Sequence, residues 1–218
     1  NLAHKYFVLA ADKGHVNAMF NAGVDYLRGR GVSQNISKGL LYVEGAAKKN
    51  DEMALNFLGC LYHDGEYLQQ NFQKGFECFW KSANQGNAEA QTFVGRSYMD
   101  GSGTEKNSQK AFEWLEKAAN NGDKKGHYWL AMCYKNGIGT VPDIQEYFKH
   151  MMISANLGDG AAKAQIGLCY LSGEGVTKNE QEAFQWFICA ANQDDVLGQF
   201  CLGNCYLHGQ GTEKNIQS

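Results

Sequence analysis

A tyrosine recurs every 36 residues along this 218-residue chain, and no insertion interrupts the interval. The tyrosine column consists of Tyr26, Tyr62, Tyr98, Tyr134, Tyr170 and Tyr206. A small residue precedes each tyrosine by three positions, at Gly23, Gly59, Gly95, Ala131, Gly167 and Gly203. A fixed period of this length is the signature of a repeat protein, in which each repeat is one small structural unit.

A glycine-rich turn follows each tyrosine. The first turn position holds Gly29, Gly65, Gly101, Gly137, Gly173 and Gly209, and the second holds Gly31, Tyr67, Gly103, Gly139, Gly175 and Gly211. Because glycine readily adopts left-handed backbone, these positions predict the end of one helix and a tight turn. A cap column then follows at Asn35, Asn71, Asn107, Asp143, Asn179 and Asn215, where the side chain can accept a hydrogen bond from the next helix.

Two helices per repeat fit between these markers. Residues 17–28 are predicted to form a first helix, with Gly23 admitting a neighbouring helix and Tyr26 beside it. In two copies an acid follows the cap by three residues, Glu146 and Glu182, which resembles a capping box. The second helix is predicted to carry an aromatic face and to end at Gly86, Gly122 or Gly158. Such a pair cannot bury its apolar face alone, so neighbouring repeats must stack.

These columns resemble the Sel-1-like repeat family, which is related to the tetratricopeptide repeats. The clearest copy runs from Ala90 to Gly122 and contains Val94-Gly95, Tyr98, Gly101-Ser102-Gly103, Asn107, Lys110-Ala111, Trp114 and Lys117-Ala118-Ala119. The period and its Gly-x-Gly turn favour this family over the slightly shorter tetratricopeptide unit. The resemblance covers essentially the whole chain. It implies an all-α fold, a right-handed α-solenoid (superhelix) of about six helix–turn–helix repeats of 36 residues.

The repeat boundaries follow from the columns. We expect one solenoid over residues 1–218, with the second helix of a partial repeat at 1–15, full repeats at 16–51, 52–87, 88–123, 124–159 and 160–195, and a partial repeat at 196–218. The chain begins within a helix and stops where another should begin, so we expect it to be a segment of a longer protein. Tyr67 replaces the second turn glycine in one copy, and Ala131, Pro142 and His150 weaken the match of the copy at 124–159 to the repeat pattern.

The resemblance also indicates where a partner would bind. If the geometry is similar to that of the tetratricopeptide relatives, the first helices line a concave groove, through the columns of Asn17, Phe20, Val24, Leu27 and Arg28. Several of these columns vary between copies, as a recognition surface should. The predicted partner-binding residues are Phe20, Asn56, His63, Arg96, Lys125, Tyr128, Met132 and Lys135. A basic pair on this face could bind an acidic peptide, and the alternative is that these residues form solvated helix faces.

Composition and motifs exclude several other classes of protein. The net charge of −3 gives no basic face for nucleic acid, and no apolar run is long enough for a membrane helix. Cys201, Cys205 and His208 share a helical face, but their columns are packing positions, so we expect no metal site and no cofactor. No nucleophile elbow, phosphate loop or zinc-protease motif occurs, and no small-molecule substrate or catalytic residue is predicted.

The function implied by the resemblance is that of a non-catalytic scaffold or adaptor for proteins or peptides, as in signalling. The alternative is a regulatory repeat segment attached to an enzymatic domain elsewhere in a longer chain. The seven cysteines form no CxxC pair, which favours free thiols in the cytoplasm. The lumen of the endoplasmic reticulum and a bacterial extracytoplasmic location remain open alternatives.

Overall fold

The computed structural model describes residues 2–214, and its regular structure consists of helices. Within this range there are twelve helices and no strand. They are α1 (Leu2–Asp12), α2 (Val16–Arg28), α3 (Ile36–Lys48), α4 (Glu52–Asp64), α5 (Phe72–Ala83), α6 (Ala88–Asp100), α7 (Ser108–Asn120), α8 (Lys124–Asn136), α9 (Ile144–Asn156), α10 (Gly160–Ser172), α11 (Glu180–Ala191) and α12 (Val196–His208). The even-numbered helices are the first helices of their repeats. The predicted all-α class of repeated helix pairs is confirmed.

The helices fall into two compact units. The first unit contains α1 to α6 and the second contains α7 to α12. Within each unit, every helix packs against the helix that follows it in the chain. The first unit has one buried core around Leu27, Val43, Leu58 and Leu61 and another around Ala11, Ala18 and Ala22. The second unit has two cores, one around Tyr147, Met151 and Ile166 and another around Phe184, Phe187 and Cys205.

A glycine makes close contact possible within several helix pairs. A Cβ added at Gly23 would lie 2.7 Å from Val43 Cγ2, and one added at Gly59 would lie 2.6 Å from the Phe79 ring. The predicted reason for this glycine column, close approach of a neighbouring helix, is therefore confirmed at these positions. The partner side chains Val43 and Phe79 are buried, because the missing side chain leaves room for them.

The turn after each first helix is built on left-handed backbone. The first turn glycine is the C-cap of its helix, with φ from 66° to 85°. The second position also has a positive φ, and Tyr67 adopts 61° there. A Cβ added at Gly103 would overlap the carbonyl oxygen of Phe72, at the start of α5. This turn therefore needs glycine for contact with the preceding second helix as well as for its dihedral angle.

The second helices begin at the predicted caps. The side chains of Asn35, Asn71, Asn107, Asp143 and Asn179 each accept a hydrogen bond from a backbone N–H in the first turn of the helix. Asn215, the last member of the predicted column, lies outside the described residues. The cap column is thus confirmed wherever the structure describes it.

The reciprocal half of the predicted capping boxes does not form. In a full box, the acid at the third helical position accepts a hydrogen bond from the backbone N–H of the cap. That N–H donates elsewhere, from Asp143 to the Tyr134 carbonyl at 3.0 Å and from Asn179 to the Tyr170 carbonyl at 2.8 Å. The repeated tyrosine therefore contributes its backbone to the turn, which leaves Glu146 free to pair with Lys149.

A second cap column precedes the first helices, and the sequence analysis missed it. It consists of His15, Asp51, Asn87, Asp123, Asp159 and Asp195, each accepting a hydrogen bond from the helix that follows. The residue before each cap has a positive φ, including Asn50 and Asp194 in a column that otherwise contains glycine. Asn and Asp tolerate this conformation better than most residues. The members of this column therefore share a left-handed backbone conformation and not a single residue type.

The copy at 124–159, whose sequence matches the repeat pattern less well, has the same turn geometry as its neighbours. Gly137 and Gly139 have φ values of 67° and 70°, and Asp143 caps α9 in the usual way. Pro142 is accommodated because it lies before the cap, where it interrupts no helical hydrogen bond.

Two glycine substitutions distinguish the energetic cost of a steric contact in the turn from the cost of its left-handed backbone conformation. Gly103 and Gly122 have nearly the same φ, 78° and 81°, but a Cβ at Gly122 would have no neighbour within 4 Å. We expect Gly122→Ala to destabilise the protein by about 1 kcal/mol, the cost of a left-handed alanine. Gly103→Ala should destabilise it by about 3 kcal/mol, since overpacking against backbone is added. Thermal unfolding followed by circular dichroism measures the difference, and equal shifts would contradict the turn contact.

Candidate functional site

The first helices of the first unit surround a cavity of about 320 Å³, which we term the first-unit cavity. Its apolar walls come from Phe20 on α2 and from Met53, Phe57 and Leu61 on α4. The rings of Phe20 and Phe57 meet edge to face, with centroids 5.8 Å apart. Two of the predicted partner-binding residues, Phe20 and Asn56, line this cavity.

Asn56 is a buried polar residue of the first-unit cavity, and a hydrogen bond holds its side chain in place. It is only 5% exposed, and its Nδ2 donates a 2.7 Å hydrogen bond to Oε2 of Glu89 on α6. No donor within residues 2–214 reaches its buried Oδ1. A buried acceptor without a partner destabilises a fold by roughly 1–3 kcal/mol. An acceptor left in this state at a cavity is therefore a candidate contact for a bound group.

The polar lining of the first-unit cavity is predominantly acidic. It contains Asp64, Glu66 and Glu89 against one cation, Arg28. The guanidinium of Arg28 lies over the Phe57 ring, 5.6 Å from its centroid. Three carboxylates and one guanidinium give the lining a net negative charge.

The pKa of the Cys60 thiol is also affected by two of these carboxylates. Burial, followed by the carboxylates of Glu89 and Asp64, raises the pKa of Cys60 to about 12. The thiol is therefore neutral at physiological pH and is a poor nucleophile.

A neighbouring cavity of about 420 Å³ continues this surface. It shares Phe20 and Met53 with the first-unit cavity and is also lined by Asp51 and Glu52. Asp51 is the N-cap of α4, and Glu52 lies in its first turn. The start of α4 thus extends the acidic surface along the helices.

The other predicted residues of the first unit are engaged in packing. His63 lies against the rings of Phe72, Phe79 and Phe93, and its Nδ1 is 2.8 Å from Asp64 Oδ1. Arg96 lies over the Phe93 ring at 6.0 Å. Leu27 was expected to face the groove, but it is fully buried in the core of the first unit. Its column holds a core residue in this repeat because Gly39 of α3 approaches it closely.

In the second unit, both predicted groove lysines form ion pairs. Lys125 Nζ lies 2.8 Å from Oδ2 of Asp159, and Lys135 Nζ lies 2.9 Å from Oε2 of Glu174. Lys135 also lies over the Tyr147 ring at 4.7 Å. The basic pair considered for an acidic peptide is therefore already neutralised by carboxylates of the same unit.

Tyr128 and Met132 complete the predicted set, and both are half-buried. They pack against the core that contains Tyr147, Met151 and Ile166. Burial raises the pKa of the Tyr128 hydroxyl. In the second unit, packing and ion pairing thus account for the contacts of all four predicted residues.

Two histidines whose spacing in the sequence predicted no contact lie next to each other in the second unit. The Nδ1 atoms of His127 on α8 and His150 on α9 are 3.0 Å apart, so at most one of them carries a proton there. His150 also stacks on the ring of Tyr134. Burial, and then the neighbouring His127, lower the pKa of His150 to about 4. No single column carries both histidines, so their spacing in the sequence gave no signal.

The cysteines are free thiols, and several belong to the cores. Cys201 and Cys205 pack with Phe184 and Phe187, and burial raises the pKa of both. His208, their considered partner for a metal, is exposed. In residues 2–214, no group of three or more metal-binding side chains is brought together. The helices in that range are also too short or too polar to span a bilayer.

Comparison with known proteins gives one family and one fold. The Sel1 repeat model matches residues 1–15, 16–51, 52–87, 88–123, 124–159, 160–195 and 196–218. A Sel1 repeat protein from Oxalobacter formigenes is similar with a TM-score of 0.86 and 27% identity, over 93% of this chain and 82% of that one. No curated protein sequence matches the chain.

Two further solved structures are similar. A protective antigen of uropathogenic Escherichia coli strains, which displays an SLR fold, gives a TM-score of 0.85 at 25% identity. That match covers 97% of this chain but only 45% of the antigen, so the chain spans less than half of its length. Helicobacter pylori cysteine rich protein B gives a TM-score of 0.51 at 23% identity, over 61% of this chain and 98% of that one, which shows the fold alone.

Substitutions at Asp159 test whether the Lys125 pair is structural. Asp159 is 2% exposed and also caps α10 through the Ala162 N–H. We expect Asp159→Ala to destabilise the protein by about 2 kcal/mol, since it removes the cap. Asp159→Asn should cost about 1 kcal/mol or less, because asparagine also caps and Lys125 is half-exposed. Thermal unfolding of both variants measures this, and equal losses would assign the energy to the ion pair instead.

The histidine pair predicts a loss of stability in mild acid. His150 binds a proton near pH 6.5 when unfolded but near pH 4 when folded, so the unfolded state gains protons first as the pH falls. The free energy of unfolding should therefore decrease from about pH 6.5 to about pH 4, by on the order of 1–2 kcal/mol after allowance for solvent screening. His150→Trp, the residue at this position in α7 and α11, should unfold with a weaker pH dependence over that range. An unchanged dependence would show that other groups cause it.

Proposed function

The chain belongs to the Sel1 repeat family, and from that premise we propose that it is a non-catalytic scaffold whose partner polypeptide binds at the first-unit cavity. Sel1 repeat proteins are generally protein-interaction scaffolds. The repeated columns supply a rigid frame of helices, and the residues that vary between repeats supply the recognition surface.

The observation that carries this proposal is the composition of the first-unit cavity. Phe20 and Asn56 occupy the same repeat column, yet one is a ring in the wall and the other a buried amide. Met53 is 48% exposed between the two adjoining cavities, where a partner could cover it. Apolar side chains beside a few convergent polar groups are typical of a binding site.

The chemistry of the cavity supports binding rather than catalysis. Its thiol, Cys60, has a raised pKa and is therefore not activated. Asn56 and Glu89 hold each other through a hydrogen bond, which fixes polar groups in place without supplying a reactive one. The seven free thiols support our further proposal that the chain works in a reducing compartment, the cytoplasm.

Site-specific photocrosslinking tests the proposed binding surface. A photoreactive phenylalanine analogue replaces Met53, in the wall shared by the two cavities, in protein that is then mixed with lysate of the source cell. The matched control places the same analogue at Leu41 on α3, which is 69% exposed. We expect one specific crosslinked protein at position 53. The yield of that crosslinked protein from position 41 should be at least about tenfold lower than from position 53.

The crosslinked partner should also depend on the cavity wall. Phe20→Ala is expected to weaken its capture because the substitution removes a ring from both cavities. Circular dichroism and thermal unfolding of the variant check that the helices persist. A partner captured equally from positions 53 and 41, or equally by the Phe20 variant, would place the binding surface elsewhere.

A further inference from the structure

Asn56, which lines the first-unit cavity, carries an acceptor atom to which no donor within residues 2–214 is matched. The Nδ2 group of Asn56 donates a hydrogen bond to Glu89, and this bond fixes the orientation of the amide. Oδ1 is then the side-chain atom of Asn56 that is left without a hydrogen-bond partner. A hydrogen-bond donor is therefore the group that this position lacks. Because Oδ1 is buried in the free protein, a donor on a bound molecule reaches it only when the Asn56 side chain or the cavity wall shifts on binding.

The charges around this acceptor select the kind of donor. Glu89 lies 2.7 Å from Asn56, and Asp64 and Glu66 line the same cavity. An anionic group would be repelled by these carboxylates, while a cationic donor would gain from each of them. Arg28, the cation that lines the cavity within residues 2–214, lies over the Phe57 ring and leaves the acidic excess in place.

The apolar walls favour a cation at the end of a long aliphatic side chain. Phe20, Phe57 and Met53 flank the cavity and would cover methylene groups. Lysine and arginine combine such a stem with a charged head that donates several hydrogen bonds. Aromatic faces also attract the cationic head itself, as they do for Arg28.

We propose, on the basis of the binding function proposed above, that the first-unit cavity binds the lysine or arginine side chain of a basic partner segment, with Asn56 Oδ1 accepting a hydrogen bond and Glu89 pairing with the charge. The neighbouring cavity, which adds Asp51 and Glu52, extends the same preference to an adjacent residue of that segment. The acidic side of the surface therefore specifies a basic polypeptide.

A peptide series tests the charge preference directly. The probes are four blocked pentapeptides, acetyl-Gly-Ser-X-Ser-Gly-amide, in which X is arginine, lysine, glutamine or glutamate. They are titrated into the ¹⁵N-labelled 218-residue chain at low salt, and the side-chain amide of Asn56 is followed by NMR. We expect the arginine or lysine peptide to bind at least about tenfold more tightly than the glutamine peptide, which corresponds to about 1.4 kcal/mol. The glutamate peptide should bind most weakly.

A matched pair of charge-removing variants locates the preference. Glu89→Gln should reduce the affinity for the basic peptide about fivefold or more, since the paired carboxylate is lost. Glu77→Gln removes the same charge from the exposed face of α5 and should change that affinity less than about twofold. Asp64→Asn, at an exposed position of the cavity rim, provides a second test if Glu89→Gln proves to disturb α6.

The outcomes separate this inference from the proposed function. Equal affinities for all four peptides, tightest binding of glutamate, or equal effects of Glu89→Gln and Glu77→Gln would overturn the charge preference. If position 53 still crosslinks a specific protein in those cases, the scaffold function stands without it. If the basic peptide binds as expected but position 53 captures no protein, the cavity preference stands and the proposed partner surface is wrong.

Discussion

Close contact between helices through a missing side chain is the constraint on which several of the repeats depend. Gly23 and Gly59 bring the backbone of the first helix against Val43 and Phe79 of the second. These partner residues are among the most deeply buried in the first unit. A side chain at either glycine would overlap the partner, so the helices would separate and the core would lose its packing. The same contact recurs at Gly167, where an added Cβ would lie 2.5 Å from Cε1 of Phe187.

The two units use their charges in different ways. In the second unit, Lys125 and Lys135 are each bound to a carboxylate of that unit. In the first unit, Glu89 is held by the neutral amide of Asn56 and keeps its charge uncompensated by a lysine. An ion pair satisfied within the protein offers little to a partner, whereas a carboxylate held by an amide retains its attraction for a cation. This difference in charge pairing is why we place the proposed binding surface in the first unit.

Much of the fold could be predicted from the sequence because its signals are local. Gly29 ends a helix and Asn35 begins the next through contacts with residues a few positions away, and repetition multiplied each signal. The caps before the first helices were missed because that column mixes His15, Asn87 and four aspartates, and so looks irregular. What those residues share is a hydrogen-bond acceptor.

The candidate site could be predicted only in part. Phe20 and Asn56 were identified from their column, but the cavity also depends on Glu89, which belongs to a different column and a different repeat. The pair of His127 and His150 was missed for the same reason. Contacts between unlike columns depend on the angle and separation of helices, which periodicity alone does not specify.

The turn contact at Gly103 limits which changes in length such a chain can tolerate during evolution. The turn touches the start of the second helix of the preceding repeat, so the number of residues between the two is fixed by geometry. An insertion of a few residues there would move the glycine off that helix, while the gain or loss of a complete 36-residue copy would leave each such contact intact. A change in length by whole repeats is therefore compatible with these turn contacts, whereas a change by a few residues within this segment is not.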